Sequence, residues 1–154
     1  MDRREPEVIF FPFRDDFTWE GVQTKIYKSP DNSWLGVLRN EIIKTDEIHY
    51  RYFEIQKGGY STLEKHEHPH IVMALRGRGT VVAGAEIYEM APFDVIHIPP
   101  WKPHQLLANR GDVFGFICVV PAKRDRPRKL TKQEVEELIK ENPRLKDILR
   151  YNPA

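Results

Sequence analysis

The segment KHEHPHIVM, Lys65 to Met73, sets His66, His68 and His70 at alternate positions in a chain that has six histidines in all. In extended backbone, side chains at i and i+2 share a face, with Cα atoms about 6.6–6.8 Å apart. Two imidazoles so spaced can lean onto one ion through metal–nitrogen bonds of about 2.0–2.1 Å. His66 and His68 meet this condition, and Glu67 between them points to the opposite face. Pro69 holds His68 extended and interrupts any ladder, so the chain bends there. The bend turns His70 back toward the same centre, whereas a straight strand would carry it about 13 Å from His66. Unpaired buried imidazoles are costly, so three of them leading into the apolar run Ile71–Leu75 read as metal ligands. His104 follows the rigid corner PPWKP, and a closed barrel would bring it opposite the first three. His97, inside a strand, reads as a packed core histidine, and His49 carries no signal.

The elements that must position these residues are short strands. Val22–Lys28, Trp34–Lys44, His49–Gln56, Ile71–Arg76, Thr80–Ala83, Glu86–Met90, Asp94–Ile98, Gln105–Leu107 and Val113–Val120 are rich in β-branched and aromatic residues. Between them lie turn sequences such as SPDNS, KGG, RGRG and NRGD. Strands at such short intervals predict an all-β sandwich or barrel. Helical pattern appears only near the end. Thr131 and Glu134 form a capping box, Val135, Leu138 and Ile139 share a face, and Leu145, Ile148 and Leu149 resume the spacing after Pro143. This predicts two short helices or one kinked helix. The layout is an N-terminal arm over 1–19, a barrel over 20–122, and a basic linker with C-terminal helix or helices over 123–154. The stretch KRDRPRK, 123–129, reads as a solvated linker.

Composition excludes several classes. The 154 residues suit one domain, and 24 basic against 23 acidic side chains leave a net charge of +1. No global field draws the chain to nucleic acid or to an anionic membrane. The N-terminus mixes charges of both signs and breaks its apolar run at Pro12, fitting neither a signal peptide nor a membrane span; the chain reads as cytoplasmic. Cys118, the single cysteine, excludes an internal disulfide and reads as a small core residue.

The region from Gly58 to Asn109 resembles the two motifs of the cupins, small jelly-roll β-barrels. The first cupin motif runs glycine, a short spacer, His-x-His, three or four residues, Glu, six residues, Gly. Gly59, His66, His68 and Gly79 follow that order with one extra residue in the first spacer. The second motif runs Gly, five residues, Pro-x-Gly, two residues, His, three residues, Asn. Pro99 and His104 fit it, Asn109 fits with one residue of slippage, and Phe93 and Trp101 stand where the motif has glycine.

The resemblance implies a cupin-type jelly-roll barrel with a short helical appendage. It also implies one metal per chain. Val72 stands where the motif has Glu and cannot coordinate, so His70 substitutes, giving the set His66, His68, His70 and His104. Imidazole ligation favours a divalent transition metal (Zn, Fe, Ni, Cu or Mn) over Mg or Ca. Four neutral ligands leave the ionic charge uncompensated, which draws a small organic anion. Glu64, Tyr60 and Gln105 are the candidates for acid–base work, Glu64 also as an outer partner of the ligands. Phe53, Tyr60, Met73, Trp101, Phe114 and Phe116 are candidates to line the cavity. Two functions stand side by side: a metal-dependent oxygenase, isomerase or lyase, and a non-catalytic ligand-binding or sensor cupin with a structural metal. The family resemblance also implies a homodimer. The apolar IFFPF stretch is suited to lying on its own barrel or on a twin's.

Overall fold

The computed structural model describes residues 7–152. Within them, eleven strands run in the order β1 (Thr24–Ile26), β2 (Leu35–Lys44), β3 (Ile48–Tyr60), β4 (Glu64–Lys65), β5 (His70–Arg76), β6 (Gly79–Ala83), β7 (Glu86–Met90), β8 (Val95–Ile98), β9 (His104–Ala108), β10 (Phe114–Pro121) and β11 (Arg128–Lys129). Helix α1 (Lys132–Glu141) and a 3-10 turn (Pro143–Asp147) follow. All pairings are antiparallel. One layer runs β1-β2-β3-β10-β5-β8 and the other β7-β6-β9-β4-β11. They join through the long strand β3, whose Tyr60 pairs with Leu107 of β9. The crossing requires glycine twice: Gly58 has φ +73°, and a Cβ on Gly59 would fall 2.4 Å from the Leu35 carbonyl oxygen.

Three apolar clusters organise this barrel. The interior holds Ile55, Val72, Val81, Ile98, Phe114 and Phe116, with Phe53 packed against them. The outer face of the first layer buries Tyr52, Ile42 and Ile117 beneath Phe11, Phe17, Trp19 and Val22, so the N-terminal arm lies on its own barrel. The outer face of the second layer buries Leu63, Val82 and Leu107 beneath Leu130, Val135, Leu145 and Leu149. Strand β10, FGFICVVP, is thus apolar on both faces because both are covered.

All nine predicted strands are present, the first shortened to three residues. β4 and β11 escape the pattern because each has two residues. They pair with one another, Glu64 with Lys129 and Lys65 with Arg128, so the expected solvated linker is in part a strand. The capping box of α1 forms as expected, with the Glu134 N–H donating to Thr131 Oγ1 and the Thr131 N–H to Glu134 Oε1. His97 is exposed on β8 and not packed in the core, because β8 pairs only with β5 and is an edge. No helix of the described residues is long and apolar enough to cross a membrane.

Three aromatic residues occupy left-handed backbone: Phe17 at φ +53°, Phe93 at φ +77° and Trp101 at φ +64°. The last two stand where the cupin motif has glycine. Each conformation costs a non-glycine residue about 1–2 kcal/mol. Phe93 is 75% exposed, so little packing offsets its strain. Phe93→Gly is expected to stabilise the protein by roughly 1 kcal/mol after allowance for glycine's own entropy, raising the melting midpoint by about 2–4 °C in a calorimetric scan. An unchanged or lower midpoint would show that the turn is not strained.

Candidate metal centre

Four side chains converge at one wall of the barrel interior: Glu64 from β4, His66 just beyond it, His70 at the start of β5, and His104 at the start of β9. One ligand atom from each lies within 4.8 Å of the other three. The His66 and His70 Nε2 atoms are 2.9 Å apart. Glu64 Oε1 is 3.9 Å from Nε2 of both His66 and His104. The pairing of β4 with β9, Glu64 opposite His104, brings the two strands' ligands to one level.

The rings are fixed from behind. His66 Nδ1 lies 2.6 Å from the His68 carbonyl oxygen and His104 Nδ1 lies 2.8 Å from the Lys102 carbonyl oxygen. A carbonyl only accepts, so both Nδ1 atoms carry the proton and both Nε2 lone pairs face the centre. His104 Nε2 is buried without a hydrogen-bond partner among the described residues. His70 Nδ1 is 3.1 Å from Cys118 Sγ.

Burial sets the charge states. Desolvation holds the His66 and His70 imidazoles below their ordinary pKa and lowers that of His104 to about 4, so all three are neutral at neutral pH. Desolvation pushes Glu64 up to about 7. Neutral imidazoles with inward lone pairs, and a carboxyl that gains by ionising against a cation, are the donor set of a divalent transition metal. The 2.9 Å nitrogen spacing also suits it: two bonds of about 2.0–2.1 Å meeting near a right angle span that distance.

The structure brings together three of the four expected ligands and places His68 elsewhere. Residues 66–69 form a turn and not a strand, so the i, i+2 rule does not operate between His66 and His68. Their rings stack instead, with centroids 3.7 Å apart and planes 4° from parallel. His68 Nδ1 donates to Asp125 Oδ1 at 2.8 Å. Asp125 also accepts the backbone N–H of Glu67 and of His68, at 2.8 and 3.1 Å, and these bonds hold its carboxyl well below the usual range. Glu64, expected only as an outer partner, stands as the fourth member of that group, while His66, His68 and Asp125 form a second group whose ligand atoms also lie within 4.8 Å of one another.

Tyr60 and Gln105 lie away from the centre. Tyr60 packs in the outer cluster under the C-terminus and donates to the Asn32 carbonyl. Gln105, wholly buried, clamps the chain end: its Nε2 donates to the Arg150 carbonyl and its Oε1 accepts the Arg150 N–H. Their alternation on β3 and β9 carries them to the faces opposite the cavity.

The centre opens into a cavity of about 120 Å³ lined by Phe53, Val72, Leu106, Phe116, Arg51 and Cys118 together with Glu64, His70 and His104. It shares Val37, Phe53, Ser61 and Glu64 with an outer chamber of about 290 Å³ that reaches Tyr27 and Trp34. Of the expected lining aromatics, Phe53 and Phe116 face the cavity and Phe114 is core. Met73 is not among the cavity residues. Trp101 sits outside, its backbone N–H donating to the His66 carbonyl at 2.7 Å and its ring 5.0 Å from the Arg128 guanidinium.

Residues 51–120 match the cupin domain family. The crystal structure of a cupin 2 conserved barrel domain protein from Rhodopseudomonas palustris superposes with a TM-score of 0.86 at 38% identity, covering 92% of this chain and 99% of that one. The chain belongs to the cupins. A cupin-2 domain protein from Rhodospirillum rubrum is similar over 86% of this chain and 91% of its own, with a TM-score of 0.80 and 36% identity. Over 134 residues, 84% of this cupin and 85% of the relative, the chain is also 37% identical to 1-methylthio-D-xylulose 5-phosphate methylsulfurylase of Rhodospirillum rubrum.

The geometry re-registers the first cupin motif. Gly58, a short spacer, Glu64-x-His66, three residues, His70, six residues, Gly77 fits the family spacing throughout. Glu64 stands at the first histidine position and His70 at the glutamate position. The sequence signal was present in Gly58 and Gly77; the richer His-x-His at 66 and 68 masked it.

Because the imidazoles are already neutral, Glu64 is expected to govern the pH dependence of any metal uptake at this cluster. Its proton must leave when a cation enters, so zinc or manganese affinity measured by calorimetry is expected to rise by up to about tenfold per pH unit toward pH 7 and to level above it. Glu64→Gln is expected to flatten that rise and to weaken binding at pH 8 by at least the roughly 10–100-fold that loss of an outer ligand partner costs. A pH profile unaltered by the substitution would remove Glu64 from the centre.

Proposed function

We propose that this cupin is a metal-dependent enzyme, that Glu64, His66, His70 and His104 hold its divalent transition metal, and that its substrate is a small methylthio-substituted ketose phosphate. The observation that carries the enzymatic reading is the convergence of four ligand-competent groups on a small, largely apolar cavity that opens to a larger chamber. The substrate class is supported by the similarity to the methylsulfurylase along most of both chains.

When bound, the metal would supply Lewis acidity to the ketone oxygen beside the carbon–sulfur bond; a thiol attacking the sulfur takes the methylthio group as a mixed disulfide, and the carbon keeps the bond's electron pair and gains the thiol's proton. The chain's own residues supply the rest. Phe53, Val72, Leu106 and Phe116 form an apolar wall suited to a thioether, whose sulfur packs favourably on aromatic edges. The same wall excludes water from the reacting bond. Cys118 Sγ and Arg51 face the cavity beside His70, so a polar group enters next to the metal ligands and not against the hydrocarbon. Asp125 and the Trp101 N–H hold the turn that presents His66. They are positioning groups.

The test is incubation of metal-loaded protein with 1-methylthio-D-xylulose 5-phosphate and a small thiol, followed by mass spectrometry. The expected result is loss of the methylthio group from the sugar, abolished by chelation and by His104→Ala. Stoichiometric metal binding with no change in the sugar, in protein of native melting temperature, would contradict the reading.

A further inference from the structure

We propose that Arg51 is an oxyanion-binding residue, holding a phosphate or carboxylate group of the ligand whose other end meets the Glu64, His66, His70 and His104 cluster. Arg51 lies on β3 between Glu41 of β2 and Cys118 of β10 and is only 7% exposed. Its Nη2 donates to Cys118 Sγ at 3.3 Å, and its guanidinium lies 4.9 Å from the centroid of the Phe53 ring. Its Nε is buried with no hydrogen-bond partner among the described residues. Among the described residues no carboxylate forms an ion pair with it. Glu41, its cross-strand neighbour, turns to His49, with Oε1 3.6 Å from His49 Nδ1. Glu64, the carboxylate of the cavity, turns to the imidazoles.

A guanidinium removed from water, unpaired and with an unused donor, is unfavourable unless something completes it. Arginine presents a planar fork of donors that matches a phosphate or carboxylate in two-point fashion. The unmet donor belongs to a side chain that lines the same cavity as three of the clustered ligands. Cys118 Sγ, in contact with Arg51, is 3.1 Å from His70 Nδ1, so a single thiol separates the guanidinium from a ring that faces the centre. The inner cavity, on the order of four water molecules in liquid volume, admits a compact oxyanion or a short chain. A further cation stands near the approach: the Arg39 guanidinium lies 5.2 Å from the centroid of the Tyr27 ring, which lines the outer chamber. With a cation at the ligand cluster and Arg51 beside it, the two positive centres select a ligand bearing both a coordinating oxygen and a separate oxyanion.

The oxyanion site stands on the structure alone; its assignment to a phosphate ester rests on the function proposed above. The experiment is isothermal titration of the metal-loaded full chain with D-xylulose 5-phosphate, D-xylulose, inorganic phosphate and acetate, for the native protein, Arg51→Met and Arg51→Lys. Metal content and melting temperature are measured in parallel. The native protein is expected to bind the sugar phosphate roughly ten- to a hundredfold tighter than the free sugar, as loss of a charged hydrogen-bonding partner implies. Arg51→Met should abolish the difference with metal content retained, and Arg51→Lys should restore part of it. Arg51-dependent binding of acetate but not of phosphate would uphold the oxyanion site and overturn the ketose phosphate reading. Sugar phosphate bound equally well by the native protein and by both folded variants would overturn the role of Arg51 and leave that reading intact. No Arg51-dependent binding of any of the anions would likewise overturn the proposal.

Discussion

The constraint on which the structure depends is the convergence of three desolvated imidazoles, two of them with Nε2 lone pairs aimed inward, beside a carboxyl. Carbonyl acceptors behind His66 and His104 leave their Nε2 atoms no role except toward one another or toward a cation. Without a cation, that arrangement leaves His104 Nε2 orphaned and Glu64 reluctant to ionise. The fold accepts this local cost because the elements around it are fixed by their own packing. Such a pattern of local sacrifice on a well-determined scaffold is what a binding centre requires.

The scaffold is arranged so that the interior can afford a cavity. Both outer faces of the barrel are buried, one by the N-terminal arm and the other by the C-terminal helix and turn. Apolar burial outside the barrel thereby offsets the contacts that the interior gives up. The second outer cluster also holds the strand that carries His104, and Gln105 ties the end of the chain to that strand. The segment 123–129 does comparable work for His66: Asp125 closes the turn and β11 extends the stub that carries Glu64. A stretch that composition marks as solvent-exposed linker is therefore part of the centre's support.

Much of this was legible from residue types. Alternation and turn chemistry gave the strands because most are half-buried or fully buried in antiparallel ladders, whereas β1, exposed along its whole length, was overextended; the capping box placed α1. The ligand set was legible only in part. The period of two that makes His66 and His68 neighbours holds for strands, and residues 66–69 are a bend, so the rule grouped His68 with His70 and His104, whereas the four-residue group contains Glu64 and His68 stands with His66 and Asp125 in a second one. The pair Glu64 and His66, at the end of β4 and just beyond it, fits the motif's spacing once Gly58 and Gly77 are used to set it. Tyr60 and Gln105 could not be placed without the pairing of β3 with β9, which is a long-range contact. The contact of Asp125 with His68, 57 residues apart, leaves no local pattern at all.

The central claim is that Glu64, His66, His70 and His104 close on one cation. Anomalous diffraction from crystals of the protein loaded with manganese or zinc tests it most directly. The account predicts a single peak per chain bonded to a Glu64 carboxylate oxygen and to Nε2 of the three histidines, with His68 still on Asp125. A peak held by His68 and Asp125, or no peak within bonding distance of His104, would contradict it.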